Sequence, residues 1–174
     1  MTMIRTEIAA DTPARERLLD RAFGRKRHRK TSERLREGRL PSEGLAFTAV
    51  DENGKLLGTI RLWDVLAGSA GHALLLGPLA VDCKAQGQGI GAALMRHAIA
   101  EARLRGHRAI ILVGDQPYYT RFGFTPGAVA DLHLPGPVER RRFLGLELEP
   151  GALDGAEGLV AGCGRLEATE RQAA

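Results

Sequence analysis

The sequence predicts an α/β fold built on a mixed, mostly antiparallel, twisted sheet. Three observations carry that reading. Asn53-Gly54 sits between two alternating apolar segments and marks an antiparallel hairpin. A strand, a glycine loop, a helix and a second strand then follow in the order and length of a βαβ crossover, so those two strands run parallel. The chain has 174 residues, 44% of them hydrophobic. A chain of that length hides about 70% of its unfolded surface, enough for one core without disulfides or metals.

The elements follow in order. Ile4 to Ile8 reads as a first strand. Thr12-Pro13 opens a helix, with Thr12 as the expected N-cap and proline suited to the first turn. Leu18, Leu19, Ala22 and Phe23 give that helix its apolar face, and Gly24 ends it. Thr31 to Glu37 reads as a short helix. Leu45–Asp51 and Leu56–Trp63 are the hairpin strands. His72–Val81 is a strand whose run Ala73-Leu74-Leu75-Leu76 is apolar on both faces.

A helix from Gly89 to Arg105 carries Ile90, Leu94, Ala98 and Ala102 as one stripe, and Gly106 stops it. Ala109–Val113 is the next strand, Gln116–Phe122 a short helix, and Phe143–Leu148 the last strand. Residues 1–167 are expected to form a single domain, and the small, polar tail 168–174 to fray.

The most informative segment is Leu79-Ala80-Val81-Asp82-Cys83-Lys84-Ala85-Gln86-Gly87-Gln88-Gly89-Ile90-Gly91-Ala92. An apolar strand enters a loop with three glycines, and the loop opens into a helix. Glycines let backbone N–H groups approach an anion, and a helix N-terminus adds partial positive charge. A nucleotide P-loop needs Gly-Lys-Ser/Thr, but Ala92-Ala93 follows Gly91. Gly87-x-Gly89-x-x-Ala92 matches a dinucleotide fingerprint formally. However, its strand ends several residues too early, and Asp115 lies beyond the spacing expected of the ribose-binding acid.

Gln86-x-x-Gly89-x-Gly91 fits better. It resembles the Q/R-x-x-G-x-G/A loop of the GNAT family of acetyl-CoA-dependent N-acetyltransferases. Leu79-Ala80-Val81 resembles that family's fourth strand, and Tyr119-Thr120-Arg121-Phe122-Gly123-Phe124 its Y-x-x-x-G-F signature. The resemblance is strongest over residues 45–126. The later Leu-Pro-Gly-Pro, Phe-Leu-Gly-Leu-Glu-Leu and Pro-Gly-Ala-Leu segments resemble a bacterial branch of predicted acetyltransferases of unassigned substrate.

The resemblance implies a GNAT fold, with helices on both faces of the sheet and a splayed parallel pair at the cofactor cleft. It also implies the following chemistry. Amides of Gln86, Gly87, Gln88, Gly89, Ile90, Gly91 and Ala92 hold the pyrophosphate of acetyl-CoA. The edge of Leu79, Ala80 and Val81 pairs with the pantetheine arm, and an amide near Val81 donates to the thioester oxygen. Tyr119 protonates the leaving thiolate. Tyr118 stays open as an alternative, because neighbours on a helix point about 100° apart and one of them alone can face the sulfur. The acetyl group passes to a primary amine by direct attack in a ternary complex.

No Glu lies on the strand His72–Val81, so the base is left among His72, Asp64, Asp82, Asp115 and a water chain. The other reading of a different class is a non-catalytic acyl-CoA-binding or sensing module. Family dimers make a homodimer an expectation.

Charge and composition bound the rest. The net charge is +4, and residues 25–30 are all basic. In the family layout this run lies beside the acceptor cleft, where it would suit an acidic or phosphorylated acceptor. The acceptor is expected to be a small molecule or a peptide amine, bounded by residues 24–44, 64–71 and 125–142. Aromatics total 5% and do not interleave with the basic clusters, so no nucleic-acid partner is expected. No window holds about 18 consecutive apolar residues, so no membrane span is expected either. The histidines and Cys83 and Cys163 have no metal-ligand spacing, so no metal is expected. The two cysteines point to a reducing cytoplasm.

Overall fold

A computed structural model describes residues 1–168. The expected frayed tail falls, apart from Ala168, outside the described residues. The strands are β1 (Met3–Thr6), β2 (Ala46–Val50), β3 (Leu56–Ala67), β4 (His72–Val81), β5 (Ala109–Val113), β6 (Asp131–His133), β7 (Phe143–Glu147) and β8 (Glu157–Gly162). The α-helices are α1 (Thr12–Phe23), α2 (Ile90–Leu104) and α3 (Gln116–Tyr119), with short 3-10 turns between elements. The sheet order is β1-β2-β3-β4-β5-β7, and β8 pairs with both β3 and β6. β4 and β5 run parallel, as do β6 and β8, while the remaining neighbours are antiparallel. This is the mixed, mostly antiparallel sheet the sequence predicts.

Period-2 alternation divides the core between two faces. Ile60, Leu62, Leu74, Leu76, Ile110 and Leu112 meet Ile90, Leu94, Ala98 and Ala102 of α2. The expected stripe of α2 is therefore its buried face. Trp63, Val65, Leu75, Ile111 and Phe143 point the other way, toward Leu35, Leu132, Leu153 and Val160. Leu18 and Leu19 of α1 pack with Leu56 and Ala80.

Four expectations need correction. Thr12 is not the N-cap of α1. Asp11 takes that position after a 3-10 turn, and Thr12 is already helical with φ −51° and ψ −50°. The Asp11 carboxylate is turned back, accepting from the Ile8 amide at 2.8 Å and from Arg5 at 2.7 Å. Thr31–Glu37 is not an α-helix but a 3-10 turn over Thr31–Leu35. β3 runs past Trp63 to Ala67 and so offers a second stretch of edge, Val65–Ala67, to β8. Finally, β7 is not the last strand. β8 escapes the alternation rule because Val160 is its one buried residue and two of its six residues are glycine.

Gly162 sets how β8 meets the turn Thr31–Leu35. A Cβ there would stand 2.4 Å from the Leu35 carbonyl oxygen, a backbone atom that cannot swing aside. Gly162→Ala is therefore expected to lower the unfolding free energy by about 1–3 kcal/mol, read from the denaturant midpoint at constant slope.

Candidate active site

β4 and β5 pair at two positions, Leu74 with Ile110 and Leu75 with Ile111, and then part. The cause lies in β4. Leu74 and Leu76 face α2, yet Leu79 and Val81 pack against that same core, so one extra residue sits between them. The ladder to β3 shows it: Leu62 opposes Leu76 and Ile60 opposes Leu79, leaving Arg61 opposite Gly77-Pro78. This is a β-bulge, which bends its strand and breaks pairing. Trp63 pins it by donating its indole N–H to the Gly77 carbonyl at 2.6 Å, with the Arg61 guanidinium 4.9 Å over the same ring. Beyond Leu75, the β5-facing edge of β4 has no strand partner among the described residues.

The glycine loop closes one side of this fork. Asp82 accepts from the Lys84 amide at 2.9 Å and caps the 3-10 turn Cys83–Ala85. Gly87 and Gly89 then take φ of 83° and 78°, the left-handed region that glycine enters without strain. The first α2 bond runs from the Ala93 amide to the Gly89 carbonyl. The amides of Ile90, Gly91 and Ala92 therefore have no helical acceptor and point out of the helix end. They line a cavity of about 440 Å³ together with Leu79–Val81, Gln86, Gly87, Gly89, Tyr118, Tyr119 and Arg121. Gln88 is in the loop but does not line the cavity.

The tyrosines separate clearly. Their rings meet edge to face at 4.9 Å. The Tyr118 hydroxyl sits against Gly91, where a Cβ would come within 2.9 Å of it. The Tyr119 ring lies over Gly114 at the end of β5, where a Cβ would meet its edge at 2.3 Å. Burial raises the Tyr118 phenol. Burial and the neighbouring Tyr118 push Tyr119 up to about 12, with Arg142 opposing them. Both phenols keep their protons at neutral pH.

A larger cavity of about 920 Å³ opens on the other side of the fork and shares Leu79, Tyr118 and Tyr119 with the first. Its walls come from Phe23 to Arg36, the bulge at Leu76–Leu79, Val113–Asp115 and Pro137–Arg142. Segments 24–44 and 125–142 therefore contribute to its lining. Segment 64–71 does not, because the end of β3 is turned toward β8. Arg27 of the basic run is anchored rather than solvated: it is 9% exposed and bonded to Glu16 and Asp20 of α1.

Of the four candidate bases, Asp115 alone lines this cavity. His72 stands at the far end of β4, roughly 20 Å along the strand from Leu79. Its ring is 4.0 Å from the Cys163 sulfur. Asp64 accepts from the Ser42 hydroxyl at 2.9 Å, and Asp82 is spent on its cap.

Sequence reasoning missed Arg121 and Arg36. Arg121 lies in the Tyr119–Phe124 motif, its guanidinium 5.2 Å from the Tyr118 ring centre, and places a cation at the loop cavity. Nothing in the sequence marks Arg36, which the fold buries beside Glu33 and the bulge at Gly77. Among the described residues no group of three His, Cys, Asp or Glu is set to hold a metal, and no helix is long and apolar enough to cross a membrane.

A forked parallel pair with a glycine loop and a helix N-terminus on one side is the arrangement expected of the acyltransferases that work on a CoA thioester. The chain belongs to one family of these, the GNAT acetyltransferases, whose model matches residues 12–124. It is therefore an acyltransferase of the acetyl-CoA-dependent N-acetyltransferase class. It is 33% identical over 159 residues to the uncharacterized N-acetyltransferase YhbS of Escherichia coli K12, covering 91% of this chain and 94% of that one. The crystal structure of E. coli YhbS in complex with CoA superposes with a TM-score of 0.78 at 32% identity, over 93% of this chain and 89% of that one. A GNAT acetyltransferase from Brucella melitensis in complex with acetyl-CoA gives 0.69 at 29% identity, over 94% and 96%.

The tyrosine environment has a measurable consequence. Unfolded phenols ionise near 10, whereas both folded phenols ionise above it. Between pH 10 and about 12 the unfolded chain releases its Tyr119 proton first, so stability falls as pH rises through that window. Phenolate absorbance at pH 10 is expected to lie well below half of the total in the folded protein, rising on addition of denaturant.

Proposed function

We propose that the protein transfers an acetyl group from acetyl-CoA to a primary amine by direct attack in a ternary complex. The observation that carries this reading is the wall that the two cavities share at Leu79, Tyr118 and Tyr119. The pyrophosphate lies against the amides at Gly89–Ala92 and the loop from Gln86, where helix dipole and N–H groups attract it. Arg121 adds charge at that site. The pantetheine arm occupies the unpaired edge of β4 along Leu79–Val81, forming the hydrogen bonds that β5 does not. An amide near Val81 polarises the thioester carbonyl, and the amine arrives from the larger cavity.

The proton balance then assigns roles. The amine nitrogen bonds to the carbonyl carbon, and the C–S bond breaks. The amine's proton passes to Asp115, directly or through water, because Asp115 is the candidate carboxylate in that cavity. The thiolate takes a proton from Tyr119, whose burial at the fork keeps it protonated. Tyr118, with its hydroxyl on Gly91, serves the phosphate side. The protein acts in the cytoplasm, where Cys83 and Cys163 stay as free thiols.

Tyr119→Phe tests the assignment. Thiol release from acetyl-CoA, assayed over an amine panel, should fall by roughly 10²–10⁴ in kcat, the usual worth of a positioned acid. The KM for acetyl-CoA should change little. An unchanged kcat removes Tyr119 from the chemistry. Saturable CoA binding with no turnover of any amine by the unmodified protein would favour a sensing module.

A further inference from the structure

We propose that the acceptor is an amine carrying its own anionic group, a carboxylate or phosphate, held in the larger cavity by Arg36 with Lys30 and Arg142. The inference rests on the acetyl-transfer reading and narrows its substrate class.

The cavity wall carries five cations, Arg27, Arg29, Lys30, Arg36 and Arg142, against the two carboxylates Asp115 and Glu139. Local pairing uses up part of this set. Arg27 is held by Glu16 and Asp20, and Glu139 pairs with Arg141 at 3.0 Å. Among the described residues Arg36 gives only its Nε, to Glu33 at 2.9 Å. Its Nη1 faces the bulge, and a Cβ on Gly77 would lie 3.6 Å from it. Arg36 is 9% exposed, so a donor edge of a guanidinium is aimed, nearly buried, at the floor of the cavity. Its Nη donors open to the cavity and have no protein acceptor among the described residues, so an anion there gains charged hydrogen bonds.

Lys30 and Arg142 crowd the same space. The Lys30 ammonium stands 4.4 Å over the Phe23 ring. Its pKa is held down by desolvation and by the Arg142 and Arg36 guanidiniums. Three cations thus converge, Glu33 pairing with Arg36 alone, and a bound anion relieves the repulsion that Lys30 feels from the two guanidiniums.

The cavity carries charge of both signs. Asp115 follows β5 near Tyr119, with Arg142 close by, its Nε donating to the Gly114 carbonyl at 3.4 Å, whereas Arg36 and Lys30 are carried on the turns 25–36. An acceptor whose ammonium meets Asp115 presents its other end to the cations. A planar carboxylate suits the fork of Arg36, and a phosphate dianion suits all three.

The experiment is a comparison of matched acceptors at saturating acetyl-CoA: ethanolamine with O-phosphoethanolamine, tyramine with tyrosine, and butylamine with 4-aminobutyrate. In at least one pair the anionic member is expected to have the higher kcat/KM by roughly tenfold or more, the worth of a charged hydrogen bond. The pair showing it tells phosphate from carboxylate. That preference should collapse in Arg36→Gln and in the double variant Lys30→Gln/Arg142→Gln, with CoA affinity retained. The double variant keeps the Arg36–Glu33 pair, so it reads the idea even where Arg36→Gln fails to fold. Equal or better use of the neutral members overturns the inference while leaving acetyl transfer intact, as does a preference that survives the double variant. If none of these amines turns over, calorimetric titration of the same pairs into CoA-saturated protein decides. Tighter binding of an anionic member supports the inference, and its absence overturns it.

Discussion

β4 and β5 are hydrogen-bonded neighbours at Leu74–Ile110 and Leu75–Ile111, and whatever the protein does with a thioester depends on where that pairing stops. A continuous ladder would satisfy the backbone of Leu79–Val81 internally and leave nothing for an extended ligand to bind. One inserted residue at Gly77-Pro78 prevents it. The same residue reverses which side chains face α2, so that Leu79 and Val81 still reach the core after the bend. Trp63 and Arg61 on β3 brace the bulge from the side that remains paired. The fork is thus fixed by packing behind it rather than by the ligand it receives.

In the proposed complex the two cavities attract their ligands by different physics. At the glycine loop the attraction comes mainly from backbone dipoles, which are set by chain direction and do not titrate. Across the fork it comes from side-chain cations carried on the turns 25–36 and on the segment 137–142. These are surface segments, joined to each other by bonds such as that from the Thr31 hydroxyl to the Pro137 carbonyl at 2.6 Å. Such an arrangement permits the acceptor side to vary while the thioester side stays constant, because loops change more freely than a strand-to-helix connection.

Sequence reasoning reached the elements whose signals are local. The bounds of β4 and β5, the stripe of α2 and the glycine loop follow from periodicity and backbone chemistry within single segments. The pairing of the Gln86–Gly91 loop with the Tyr119–Phe124 signature added the family. What stayed hidden depends on distant partners. The different settings of Tyr118 and Tyr119 come from Gly91 and Gly114, which sit on different elements. Arg36 looks like any arginine until the fold sets its guanidinium against Gly77 of β4, and β8 has almost no alternation to betray it. Asp115 stood level with three other candidates until the cavity set it apart. The basic run was legible as charge, but that Arg27 is its anchor follows from carboxylates on α1.

The central claim is that a diphosphate tethered to a thioester arm lies across the glycine loop and the open edge of β4. Calorimetric titration of the purified chain with CoA tests it most directly. The account predicts saturable one-to-one binding that is lost when Gly89 is replaced by valine, which resists the left-handed φ of 78° found there. Absence of heat with CoA in millimolar excess would contradict it.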